Sequence, residues 1–235
     1  MFPIRDDQPS FSKPFVTYFI IALNVLVFVF FELPLQAQGP RAINALVMQF
    51  GLIPNDFTHA LTGAPQYPLG ANLLTVLTSM FMHGGITHIV GNMWFLWIFG
   101  DNVEDRIGHF GFLAFYLVCG VAAALTDIAL APRSPVPMIG ASGAIAGVMG
   151  GYFVLYPRAR VLTWVFFIFF WWLPAWIWLG IWFLQQFFST AVVASSAYHQ
   201  KGGVAFAAHV GGFLAGLILI KAFPSRTRTY RYGSW

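Results

Sequence analysis

The stretch VPMIGASGAIAGVMGGYFVLY, residues 136–156, decides how the rest of this 235-residue chain is read. It is apolar over the roughly 20 residues that cross ~30 Å of hydrocarbon. Inside it stands Gly140-Ala141-Ser142-Gly143, so a hydroxyl sits where little water is available, and the flanking glycines let a neighbouring group approach closely. Gly143, Gly147 and Gly151 recur at four-residue spacing, a stripe of small residues along which a second helix can pack.

Composition carries the same message. The chain is 58% hydrophobic and only 9% charged, where a soluble domain carries about a quarter charged residues. A soluble globular domain is thereby excluded and an integral membrane protein expected. The net charge of +4 is no sign of nucleic-acid binding, because the basic residues lie between apolar runs and read as a topology signal. One cysteine, Cys119, excludes a disulfide framework and any multi-cysteine metal site.

Six apolar runs are expected to span: 15–33, 80–100, 110–131, 136–156, 161–184 and 203–223. The predicted fold is an all-α polytopic bundle of six transmembrane helices, preceded by a short N-terminus, 1–14, and followed by a basic tail, 224–235. Asp6 and Asp7 argue against an Arg-rich organelle presequence, and no small-residue cleavage site follows the first run. Between Pro34 and Asn72, prolines and glycines break any long period, which predicts a long first external loop lying on the membrane surface. An even number of spans puts both termini on one side. Nine basic residues fall there (Arg5, Lys13, Arg106, Arg158, Arg160, Lys221, Arg226, Arg228, Arg231) against Arg41, Arg133 and Lys201 opposite, which makes that side cytoplasmic. The expected location is a bacterial inner membrane. The fifth run, with six tryptophans from Trp164 to Trp182 and Pro174 in its middle, reads as a lipid-facing, proline-kinked helix.

Polar side chains are costly inside a bilayer, so those that remain are functional candidates. His88 and Asn92 share a face of the second run, Ser142 lies in the fourth, and His209 in the sixth beside a second small-residue stripe, Ala208, Gly212 and Gly216. Packing of the two stripes would bring Ser142 and His209 together. Serine needs a base to become a nucleophile, and histidine is the usual one. Asp127 is the one acid well inside the later spans and nothing pairs it with His209, so a serine-histidine dyad is expected rather than a triad. The Ser142 N–H, His88 and Asn92 would serve as oxyanion donors. Taken singly, each feature is ordinary: membrane serines bond their own backbone, glycine stripes pack helices, and His83, Asp127 and Cys119 read as structural. As a set they point to acyl transfer without cofactor or metal.

At these residues the chain resembles the rhomboid family of intramembrane serine proteases. The matches are Gly140-Ala141-Ser142-Gly143, the stretch from His83 through His88 to Asn92, and Ala208-His209 with Gly212 and Gly216. The resemblance implies Ser142 as nucleophile, His209 as general base, His88, Asn92 and the Ser142 N–H around the oxyanion, and Gly140 opening room beside the serine. It implies a transmembrane protein as substrate. Gly100, Glu104 and Arg106 also resemble the family pattern, as a structural feature. Two positions depart from it: Leu74-Thr75 stand where many members have Trp-Arg, and Ala146 stands where some have a tyrosine packed on the histidine.

Other classes fit less well. His-Glu-x-x-His is missing, and Gly100-Asp101 is half of an aspartyl protease motif. A rhomboid-like protein that binds membrane helices without cutting them is the second reading, and a transporter or channel, for which no repeated halves are visible, the third.

Overall fold

The computed structural model describes residues 1–166, 168–195 and 205–224, and in it the helices start and stop where glycine and proline permit. α1 (Phe15–Val27) follows Pro14 and continues through a π-helical turn, Phe28–Glu32, into α2 (Leu33–Gln38), which ends at Gly39 with φ 109°. α3 (Pro40–Phe50) and α4 (Pro54–Leu61) each carry proline in the first turn, where a missing N–H costs nothing. α5 (Leu69–Thr78) runs through a short 3₁₀ turn to Phe81, and the chain then bends by 81° into α6 (Ile86–Ile107). α7 (His109–Leu130), α8 (Ser142–Leu155), α9 (Ala175–Ser195) and α10 (Phe206–Leu219) complete the order.

The protein is a mostly helical membrane protein. Among the described residues, Phe15–Gln38 and His109–Leu130 are each long and apolar enough to cross a membrane, and the bent pair Leu69–Phe81 with Ile86–Ile107 makes a third candidate. α8 and α10 are shorter apolar helices.

Several expected boundaries are corrected. The second run was placed at 80–100, but its helix starts after the bend, at Ile86, and continues to Ile107. The fourth helix covers only the last two thirds of 136–156, because residues before Ser142 run as an extended strap. The region 34–72 is four short helices rather than irregular loop. The fifth run differs most. Residues 160–174 are not helix but an antiparallel hairpin, β2 (Arg160–Val165) and β3 (Phe169–Pro174), and the N-terminus adds β1 (Phe2–Asp6) to make a sheet ordered β1-β2-β3. The fold is therefore not all-α, and Pro174 closes a strand before α9 instead of kinking a helix. Val161, Thr163, Trp164 and Val165 are the β-branched and aromatic types that favour strands, a cue that an unbroken apolar run hides. Nor are the tryptophans uniformly outward. Trp171 and Trp176 are exposed, whereas Trp178 is buried against Phe95 and Phe99. Lys201 and the tail beyond Pro224, with Arg226, Arg228 and Arg231, lie outside the described residues.

Two devices hold the bundle. At one end the buried Glu104 carboxylate accepts the N–H of Val16 (2.9 Å) and of Thr17 (2.7 Å) and the Thr17 hydroxyl (2.7 Å), satisfying donors that the start of α1 leaves open. Gly100, one turn earlier on α6, makes room for Thr17, since a Cβ there would lie 3.1 Å from its side chain. The structural role implied for Gly100 and Glu104 is thus an anchor for α1. In the middle of the bundle, α8 and α10 touch backbone to backbone. A Cβ on Gly212 would lie 2.0 Å from the Gly143 carbonyl oxygen, and one on Gly216 1.9 Å from that of Gly147.

The sheet is tied to α8 through the Tyr152 hydroxyl, which donates to the Asp6 carboxylate, and to itself through Asp7, which accepts from the Arg160 N–H at 2.7 Å and its Nε at 2.8 Å. Burial raises the Asp6 carboxyl from its ordinary 3.8 to about 6, despite the opposing Tyr152 bond.

Gly216→Ala is expected to destabilise the bundle by on the order of 3 kcal/mol, because only backbone could move aside. Gly180→Ala, where an added Cβ meets nothing within 4 Å, serves as the harmless control in the same thermal unfolding series. For Asp6 the folded state holds the proton more tightly than the unfolded chain, so stability falls as pH rises from about 4 to about 6, by at most about 3 kcal/mol. Asp6→Asn should therefore raise the melting temperature near pH ~7.5, with the gain vanishing near pH ~4. An equal gain at both would refute burial as the cause.

Candidate active site

Ser142 opens α8, so its N–H has no partner within the helix. The strap before it is pinned from two directions. Leu52 and Met138 exchange backbone bonds of 3.0 and 2.7 Å, and the Gly140 N–H donates to the Ser79 carbonyl at 2.8 Å. Gly140 has φ 125°, a conformation that favours glycine, and it is needed twice over: a Cβ would fall 2.8 Å from His88 Nε2 and 3.7 Å from Ser142 Oγ. The space beside Gly140 is thus shared by the serine hydroxyl and an imidazole nitrogen.

His88 stands in the first turn of α6. Its Nδ1 accepts the Gly84 N–H at 3.2 Å, and a neutral ring bonded that way carries its proton on Nε2, the atom facing Gly140. The bend just before it is held by Glu32, whose carboxylate accepts the His83 N–H at 2.6 Å. The buried His83 ring meets His88 edge-on, with centroids 5.1 Å apart. One turn further along α6, Asn92 is buried and its Nδ2 has no acceptor among the described residues, so it has a donor to offer.

His209 lies in the first turn of α10, next to the Ala208–Gly143 contact. Its ring is 8% exposed, flanked by Trp182 (centroids 5.9 Å apart) and by Phe206 (6.5 Å), and Nδ1 bonds Gln186 Oε1 at 2.9 Å. Six of the expected residues line one cavity of about 660 Å³: Ser142, His209, His88, Asn92, Gly140 and Gly143. No direct hydrogen bond closes between Ser142 and His209, a common state of sites without substrate. Gly212 and Gly216 stand outside the lining and act through the α8–α10 contact.

The segment from α3 to α5 is anchored without Trp-Arg. Thr78 Oγ1 donates to the Phe50 carbonyl (2.7 Å), the Asn55 N–H to Ser134 (3.0 Å) and Thr58 Oγ1 to Pro132 (2.9 Å), so α3 and α4 are tied to α5 and to the approach to the strap. Leu74 is exposed, and Thr75 bonds Asn72 on its own helix. Three contributors were not expected from the sequence: Glu32, Trp182 and Gln186. Gln185 and Gln186 are visible in the sequence as amides in apolar surroundings, but they fall just past the fifth run, which ends at 184.

A family model described as the Rhomboid domain matches residues 70–226. The chain is 27% identical over 207 residues to Rhomboid protein 1, mitochondrial, of Saccharomyces cerevisiae, covering 86% of this chain and 51% of that one. It is 32% identical over 139 residues to Rhomboid protease GluP of Bacillus subtilis, covering 59% and 24% respectively. Rhomboid-like protein 11, chloroplastic, of Arabidopsis thaliana is 42% identical over 72 residues, covering 31% and 25%. The chain thus spans about half the length of the first of these relatives and about a quarter of the other two. Their names divide among mitochondrion, chloroplast and a bacterium, and they favour no one membrane.

Proposed function

The chain belongs to the rhomboid family, and from that membership we propose that it is an intramembrane serine endopeptidase, cutting a peptide bond in or beside a transmembrane helix of a protein substrate. The observation that carries this is the convergence on one cavity of a serine at a helix N-terminus, a histidine from a second helix, and two hydrogen-bond donors from a third. We further propose six spans, α1–α2, α6, α7, α8, α9 and α10, with both termini cytoplasmic, a placement supported by the nine-to-three division of basic residues. The bacterial inner membrane expected at first finds no support in the relatives and is not part of the proposal.

Chemistry follows from the donors and acceptors. Ser142 Oγ attacks the scissile carbonyl carbon while its proton passes to His209 Nε2. The carbonyl oxygen becomes an anion, for which the Ser142 N–H, the His88 Nε2–H and the Asn92 Nδ2–H supply donors beside Gly140. Collapse of this intermediate breaks the C–N bond, and the His209 imidazolium returns its proton to the departing amine. Water, deprotonated by the same ring, then releases the acyl group and restores the serine. Gly140 matters because any side chain there would displace His88. No cofactor is required at any step.

Membranes carrying the protein should label at Ser142 with a fluorophosphonate, located by mass spectrometry, and the label should be lost in both Ser142→Ala and His209→Ala. Gly140→Ala should keep Ser142 but react about 10²–10³-fold more slowly, the scale of one lost oxyanion donor. A wild type that stays unlabelled while a known rhomboid protease labels in parallel would move the function to helix binding without cleavage.

A further inference from the structure

Among the described residues no carboxylate bonds the His209 ring, yet a general base must present a bare nitrogen to the serine. Ala146, small and buried, cannot wall the ring as a tyrosine would. α9 supplies what is missing. Trp182 and Gln186 are four residues apart and share a helix face, one tilted at 34° beside the imidazole and the other bonded to its Nδ1 at 2.9 Å. Gln186 is 6% exposed, so water does not compete for that bond. An amide oxygen only accepts, so Nδ1 must be the protonated nitrogen. A neutral imidazole carries one such proton, which leaves Nε2 bare.

Resting on the base assignment above, we propose that Gln186 is a positioning residue that fixes the tautomer and ring plane of His209, with Trp182 as the wall. It takes the orienting part that a carboxylate takes in a serine-histidine-aspartate triad, but through a neutral group. This fits its setting, since a buried anion without a cation would be costly inside a membrane. The Ser142–His209 pair is then a dyad in charge and a triad in geometry. The hairpin matters to it as well. It ends at Pro174, and α9 follows directly at Ala175 and carries the Trp182–Gln186 face.

The test uses the full chain in detergent micelles, with wild type, Gln186→Met and Gln186→Glu, and His209→Ala to assign the signal. In ¹⁵N-histidine spectra, wild-type His209 should show a protonated Nδ1 and a bare Nε2, and Gln186→Met should show a mixture of tautomers. In fluorophosphonate kinetics, Gln186→Met should lower the maximal inactivation rate about 10- to 100-fold, a partial loss of the ~10²–10⁴ that a positioned base supplies, with the probe's half-saturating concentration unchanged. Gln186→Glu, which keeps an acceptor, should restore the rate to within a few fold. Melting temperatures separate these effects from misfolding. Protonated Nε2 in the wild type, or a Gln186→Met that labels within twofold of wild type, overturns the proposal. A wild type with the expected tautomer, lost in Gln186→Met, that never labels would uphold the positioning role and overturn the protease assignment instead.

Discussion

The backbone contact between α8 and α10 is the constraint on which the site depends. Lipid tails are as apolar as leucine, so burial alone does not drive these helices together, and close packing must supply the attraction. Glycine at 143, 147, 212 and 216 brings carbonyl oxygens to within what would otherwise be a side chain's volume. Ser142 and His209 sit one residue from this contact, at the entry turns of their helices. α7 completes the arrangement from the other side, with Cys119 filling the space beside Gly147 and Thr126 the space beside Gly211. Cys119 is thus a packing residue, in keeping with its burial.

Placing two helices does not place the third. His88 and Asn92 belong to α6, whose position is set at its far end by Glu104 bonded to the start of α1, and at its near end by Glu32 bonded to the bend. One carboxylate holds a helix start and the other holds a hinge; Glu104 accepts several hydrogen bonds there, and Glu32 accepts the His83 N–H. The segment from α3 to α5 contributes hydrogen bonds in the same way. Its bonds to Ser134, Pro132 and Met138 hold the strap that delivers Gly140 and Ser142, so α3 to α5 are part of the site's frame.

Much of this could be read from residue types alone. A bilayer penalises every polar atom, so Ser142, His209, His88 and Asn92 stood out against an apolar background, and the two glycine stripes named the helices that would meet. Where the background itself was uniform, the reading failed. Residues 160–174 are apolar whether helix or strand, and what decides between them is the N-terminal strand: Phe2 pairs with Trp164 and Asp6 with Val161, partners more than 150 residues apart. No local pattern encodes that pairing.

Gln186 shows the same division at the level of one side chain. Amino-acid types pointed to candidates for a nucleophile, a base and oxyanion donors, because those roles demand particular chemistry wherever they occur. The role of orienting the base demands only an acceptor at the right distance from Nδ1, and serine, asparagine, glutamine, a carboxylate or a backbone carbonyl would all qualify by type. Which of them fills it is a matter of helix phase and register, set by where the hairpin ends and how α9 rotates against α10. Composition and spacing therefore disclosed the membrane setting and the polar residues that line one cavity. Long-range pairing and packing chose the sheet, the bend at His83 and the partner of His209, since those depend on distances that exist only once the chain has closed on itself.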